Sequence, residues 1–198
     1  MTAARILLAV LAAGFLSACQ VPGSARKEVV RRAIQVQPAD SSNSPLYVWH
    51  GSGQPGPVRV TIDLSEQRAY IFRDSENIGW TYVATGTGGY PTPTGSFVIS
   101  EKVVNKRSNK YGTIVDANGS VVRRDATAGV YAVPPGGRFM GAKMPYWMRL
   151  TGRGVGMHAG PIPRPGRPAS HGCIRLPHAM ARLLYAEAPS GTRVTIVP

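Results

Sequence analysis

His158, His171, Cys173 and Arg175 stand close together late in this chain, and between them they could run acyl chemistry. Cysteine reacts as its thiolate, and an unassisted thiol near pH 7 is only a few per cent ionised, so a nucleophilic cysteine needs a base beside it. Read as an extended segment, Ser170-His171-Gly172-Cys173-Ile174-Arg175-Leu176 alternates sides with period two. His171, Cys173 and Arg175 then share one face, Ile174 points into a core, and Leu176 ends the strand. Gly172 removes a side chain beside the sulfur and lets a substrate backbone come close. In Gly154–Ala159, Val155 and Met157 read as core, while Gly154, Gly156 and His158 take the opposite, cleared face. A histidine on such a face, shortly before a His-Gly-Cys strand, fits a thiol nucleophile with a general base. Taken alone, the strand also fits a buried structural cysteine whose polar neighbours share its parity.

The elements that must position these residues are short strands. Val58, Val60 and Ile62 alternate with Arg59, Thr61 and Asp63, and Ala69–Phe72 follows across a polar turn. Asp74-Ser75-Glu76-Asn77 reads as the next turn, leading into a strand over Trp80–Thr85. Pro91-Thr92-Pro93-Thr94-Gly95 interrupts pairing, which resumes over Ser96–Val104. Asn118-Gly119 marks a hairpin between Thr113–Val115 and Ser120–Arg123. Tyr146–Leu150 and Val155–His158 form a further pair, with Tyr146 and Trp147 read as core in preference to a substrate wall. The loop Gly160–Ala169 joins the two reactive strands and must edge the site; its prolines at 161, 163, 165 and 168 make it semi-rigid. Pro177 opens a helix with Met180, Leu183 and Leu184 on one stripe, His178 faces solvent, and Thr192–Val197 is the last strand.

Residues 1–18 have the shape of an export signal, with Arg5 followed by an apolar run from Ile6 to Leu16 that is too short to span a bilayer. Its end, Leu16-Ser17-Ala18-Cys19, resembles the lipobox of bacterial lipoproteins, which implies lipidation of Cys19. Gln20 after it points to the outer membrane by the sorting habit of such proteins. Residues 19–56 then read as anchor and tether, rich in Pro, Gly and Ser, and His50 within them is given no role. With Cys19 so assigned, Cys173 is the one free thiol of the mature domain, and a disulfide framework is excluded. The net charge of +13 calls for an anionic partner. The cations are scattered and no nucleic-acid motif occurs, so the anionic bacterial envelope is favoured over nucleic acid.

His158 followed by Ser170-His171-Gly172-Cys173-Ile174-Arg175 resembles the signature of the L,D-transpeptidase (YkuD) family. The similarity extends through Ile62-Asp63-Leu64-Ser65 with Gln67, Tyr90-Pro91-Thr92-Pro93-Thr94-Gly95, and Met144-Pro145-Tyr146-Trp147-Met148, covering about residues 57–198. Ala159 stands where many members have Gly, which leaves open what orients the His158 ring. The resemblance implies a mainly β, mixed and largely antiparallel sandwich-like domain with few helices over 57–198. It also implies that Cys173 attacks an L,D-peptide carbonyl of a peptidoglycan tetrapeptide stem, releasing the terminal D-residue and leaving a thioester. His158 is the implied proton acceptor and donor, and His171 an auxiliary. The backbone N–H groups of Gly172 and Cys173 are the candidates for the oxyanion hole, and Arg175 and Ser170 are the expected substrate contacts. No metal or cofactor is expected. The partners are stem peptides, a lipid membrane through acylated Cys19, and as acceptor another stem, a free D-amino acid or an envelope protein's lysine. Location follows as the periplasmic side of the envelope, lipid-anchored at the outer membrane. Three competitors are a hydrolase on the same scaffold, a zinc site from His158, His171 and Cys173, and a non-catalytic wall-binding lipoprotein.

Overall fold

The computed structural model describes residues 45–53 and 55–198. The signal, the lipobox with Cys19 and most of the tether lie outside the described residues. Among those described, no helix is long and apolar enough to cross a membrane.

The chain folds into two packed sheets. The first holds β1 (Tyr47–Trp49), β2 (Val58–Asp63), β3 (Arg68–Arg73), β4 (Glu76–Tyr82), β5 (Gly95–Val98) and the last strand, β11 (Arg193–Val197). Their order across the sheet is β1-β4-β3-β2-β11-β5. The second sheet runs β10 (Ile174–Leu176), β9 (Gly156–Ala159), β8 (Arg138–Arg149), β6 (Glu101–Val115), β7 (Val121–Thr127). Among the described residues one helix, α1 (His178–Glu187), follows β10 and packs on β8 and β9. The fold is mainly β and sandwich-like, as read from the sequence. Two pairings are parallel, β11 with β2 and β10 with β9.

Alternation explains the core. Val58, Val60 and Ile62 of β2 face inward with Ala69 and Ile71 of β3, and meet Met148, Met157, Ile174 and Leu176 of the second sheet. Met180 and Leu184 of α1 complete the cluster. The outer face of the first sheet is held by Arg59 over Phe72 at 4.1 Å and by Arg68 between Trp80 and Tyr82.

The structure corrects three boundaries. The tether expected to reach residue 56 ends sooner, because β1 pairs with β4 and buries Tyr47 and Trp49 to 1% exposure. Glu76 and Asn77, read as turn, are already strand: Asp74 at φ 51° closes a tight turn that pairs Arg73 with Glu76. The strand expected over Ser96–Val104 is two strands in different sheets. At the corner, the Ile99 N–H donates to Thr192 O, just before β11 of one sheet, and the Ser100 N–H to Arg149 O of β8 in the other. β6 then runs on to Val115 through Lys106–Lys110, a stretch without apolar alternation because this part of the β6–β8 arm stands in solvent.

If β1 belongs to the folded domain, Trp49→Ala should cost ~3–5 kcal/mol, read from urea unfolding of the full chain. A change under about 0.5 kcal/mol would instead make this stretch part of the tether.

Candidate active site

The segment Ser170–Cys173 is a turn, and the strand begins only at Ile174. Gly172 sits at φ +107°, where side chains are disfavoured, and this breaks the alternation expected through it. Space is not what requires glycine, since an added Cβ would meet nothing closer than 3.7 Å. The consequence is that His171 leaves the strand alternation and lines the cleft from beside two tyrosines. Its ring stacks on Tyr111 at 4.5 Å and meets Tyr90 edge-on at 4.7 Å, while Cys173 and Arg175 keep their common side.

Hydrogen bonds hold the turn from within. Ser170 Oγ donates to Cys173 O and accepts the Gly172 N–H at 3.1 Å. Thr92 Oγ1 donates to Gly172 O at 2.8 Å and accepts the Gly86 N–H at 2.9 Å. The carbonyl of Thr85 accepts both the Ala169 and Ser170 N–H groups at 2.9 Å. Behind Thr85 lies Gln67, buried at φ 52°, whose Oε1 accepts the Thr85 N–H and whose Nε2 donates to Leu64 O and Thr85 Oγ1. Gly86 has no room for a side chain: a Cβ would lie 1.8 Å from Tyr90 O and 3.0 Å from Gly172 Cα.

These bonds bear on two expectations. Ser170 lines the cleft but is 2% exposed, and its hydroxyl is spent on the turn, so what the structure gives it is a role in shaping the backbone around Cys173. The Gly172 N–H is likewise spent, on Ser170 Oγ. That leaves the Cys173 N–H as the candidate oxyanion donor.

His158 lies on β9, where every residue is buried. β10 runs parallel beside it, pairing Arg175 with His158. The face expected to be clear is occupied: a Cβ at Gly156 would sit 2.8 Å from Trp147 Cη2, and the Trp147 and His158 rings lie 6.0 Å apart. Gly156 therefore makes room for Trp147, which is buried as expected and at the same time floors the cleft. His158 Nδ1 is 2.9 Å from Ala159 O. With Nδ1–H donating there, Nε2 is an acceptor, and the group that orients the ring is the neighbouring backbone carbonyl. Burial pushes the His158 pKa down to about 4; the nearby Arg175 charge adds to this and the Ala159 contact opposes it. Burial pushes the Cys173 thiol up, against the pull of a Gly156 backbone contact and of Arg175. The resting pair is a neutral thiol and a neutral imidazole, with Sγ directed at Gly154 O, 3.7 Å away.

His158, His171, Cys173 and Arg175 all open onto one cleft of about 540 Å³, a normal size for a ligand site. Arg175 is half-buried, its stem lying over Gly160 and its backbone bridged to Ala84 in both directions. Gly160 and Pro161 at the start of the proline-rich loop edge the cleft, as expected. Among the described residues, no three His, Cys, Asp or Glu side chains gather as a metal-ligand set, and the His171 ring is turned to the tyrosines. Tyr146 packs against Tyr185 and His178 away from the cleft, and His178 is exposed. The sequence reading missed the positioning roles of Thr85, Gly86 and Thr92. It also missed the tyrosines at the rim. For Tyr90 and Thr92 the local signal is the run Tyr90–Gly95.

The sequence profile of the YkuD family, described as the L,D-transpeptidase catalytic domain, matches residues 57–196. A Bacillus licheniformis protein named as an L,D-transpeptidase YkuD is 28% identical over 143 residues, 72% of this chain and 67% of that protein. The crystal structure of an L,D-transpeptidase from Stackebrandtia nassauensis is similar with a TM-score of 0.51 and 22% identity. That match covers 73% of this chain and 57% of the other, so the chain spans a little over half the length of that relative. The L,D-transpeptidase LdtMt1, solved in complex with imipenem, is similar with a TM-score of 0.54 and 21% identity, over 76% of this chain and 67% of that one.

The depressed His158 pKa has a stability consequence. As pH falls from 6.5 toward about 4, the unfolded chain takes up a proton on this ring that the folded one refuses, so stability is lost through that window. The wild type should therefore lose stability faster than His158→Gln, by up to ~1.4 kcal/mol per pH unit in urea unfolding at pH 6.5 and 4.5. Parallel curves would mean that the buried ring does not titrate this way.

Proposed function

The chain belongs to the L,D-transpeptidase (YkuD) family, and on that premise we propose that it is a peptidoglycan L,D-transpeptidase with Cys173 as nucleophile. The observation that carries the reading is a neutral His158, its Nδ1 held by Ala159 O, opening onto the same cleft as Cys173. The thiol is not ionised at rest, so its proton leaves as the sulfur attacks. Sγ bonds to the stem's L,D-peptide carbonyl carbon while His158 Nε2 takes the proton. The negative oxygen faces the Cys173 N–H, a donor worth about 3 kcal/mol in such a place. His158 returns its proton to the departing amine, the terminal D-residue leaves, and a thioester remains. An acceptor amine then attacks the thioester carbonyl, His158 takes its proton, and the new amide forms as the thiol is restored. The acceptor is a second stem, a free D-amino acid or an envelope protein's lysine.

Arg175 serves twice in this reading. Its charge favours the thiolate and disfavours an imidazolium, which keeps His158 ready as a base. Its planar fork also suits a stem carboxylate. The lipobox-like Leu16-Ser17-Ala18-Cys19 supports a lipid on Cys19 that holds the domain at the periplasmic side of the envelope, at the outer membrane.

Exposure to a carbapenem should add one adduct by intact mass, absent in Cys173→Ala; an adduct that persists in that variant removes Cys173 from the mechanism. His158→Ala should acylate ~10²–10⁴-fold more slowly at neutral pH and recover partly as pH rises, and normal acylation would move the base elsewhere. Digested walls from cells with and without the protein should differ in 3–3 cross-linked or protein-linked muropeptides.

For the anchor, Cys19→Ala should leave the precursor unprocessed by the lipoprotein pathway or release the protein from the membrane. Unmodified wild-type protein found entirely in a soluble fraction would end that part of the reading.

A further inference from the structure

The cleft around Cys173 is lined by cations and by no carboxylate. Lys106 and Lys110 come from β6, Lys143 from β8, Arg153 from the turn between β8 and β9, and Arg175 from β10. Among the described residues none of these five is in a salt bridge; the sixth lining cation, Arg149, is neutralised by Glu101 at 2.6 Å, a carboxylate whose charge also reaches Lys106. The one carboxylate whose charge reaches Arg175, Asp125 of β7, forms no salt bridge with it and does not line the cleft. Lys110, Lys143 and Arg153 are exposed, and Lys110 lies over the Tyr111 ring at 5.2 Å. Gathering five like charges around one slot is unfavourable until an anion enters it.

The cations arise from four elements around the slot, which suits several separate carboxylates better than a single phosphate. Between them lie Tyr111, Met144 and Trp147, apolar surfaces for a peptide's uncharged parts. Arg153 precedes Gly154, whose carbonyl receives the nucleophile's S–H, and lines the same cleft. Arg175 comes from the strand that follows Cys173.

We propose that this cleft selects its peptide by charge: it takes stems whose acidic residues carry free carboxylates and discriminates against the same stems with those carboxylates amidated. This rests on the reading of Cys173 as the acylated nucleophile of a peptidoglycan transpeptidase, and adds to it the ionic state of the substrate. Because Lys106, Lys110 and Lys143 belong to the arm and not to the reacting centre, they bind and do not catalyse. Their loss acts on KM and leaves kcat in place.

The test uses the full-length protein and a Lys106→Gln/Lys143→Gln variant. Each is given two matched tetrapeptide stems, one with free and one with amidated carboxylates, at low and at about 0.5 M salt. Carbapenem adduct formation on Cys173 reports that each protein is folded and competent. For the wild type at low salt, KM for the free stem should lie about ten-fold below that for the amidated one, and the gap should close at high salt. The variant should raise KM for the free stem about five-fold, with kcat within about two-fold and the amidated stem unaffected. Equal KM values for the two stems overturn charge selection while leaving the transpeptidase reading intact. An equal rise on both stems in the variant also overturns it, because the lysines would then act on something other than the carboxylates. A protein that forms the carbapenem adduct yet processes neither stem overturns the transpeptidase reading and this inference with it.

Discussion

The site depends on one backbone constraint, the left-handed turn at Gly172 that delivers Cys173 to the cleft. Such a turn is not stable through local preference, and here it is fastened on both sides. Ser170 bridges it from within, Thr92 grips its carbonyl from the first sheet's side, and Thr85 anchors the approach to it. A hydrogen bond of this kind contributes only ~1 kcal/mol net, but a buried partner left without one costs ~1–3 kcal/mol. The network is thus cooperative. Gln67, buried and itself at φ 52°, fixes Thr85, and through Thr85 it fixes a residue more than a hundred positions away. Its importance is geometric, since it touches neither sulfur nor imidazole.

The same packing sets the chemistry. Burial disfavours charge on both members of the pair, lowering the His158 pKa and raising that of Cys173, so they rest as neutral neighbours and not as an ion pair. Arg175 reaches both, and its charge works in one direction on each: it stabilises thiolate and opposes imidazolium. In a low-dielectric setting these effects are larger than they would be at the surface. The cationic rim beyond them is exposed and screened by salt, so it bears on which ligand enters the cleft more than on the reacting pair.

The two sheets meet this demand through two connections. At Ile99–Ser100 the chain changes sheets, tying β5 and β6 to opposite halves of the sandwich. Between β9 and β10 the pairing is parallel, and a parallel pair cannot be closed by a tight turn; a crossover of a dozen or more residues is needed. The proline-rich loop is that crossover. It is why His158 on β9 and Cys173, in the turn that leads into β10, can open onto one cleft and still be separated by a segment that edges it.

Much of this was legible in the residues alone. Period-two alternation set β2, β3 and the inward faces of Met157 and Ile174, because one side of each strand must be buried. The rarity of a lone thiol flanked by histidines marked Cys173 and His158. The Asn118-Gly119 turn and the helix after Pro177 followed from local dihedral preference. Alternation failed at Gly172, where the same glycine that looked like a cleared space was a turn that sent His171 to Tyr111 and Tyr90. It failed again at Gly156, whose missing side chain is filled by Trp147. The commitments of Ser170, Thr85 and Thr92, the carbonyl that orients His158, and the capture of Tyr47 and Trp49 by the first sheet were decided by tertiary structure. Each is a contact whose partner is chosen by the packing of the two sheets, and a local pattern carries information only about its own neighbours and the face they share.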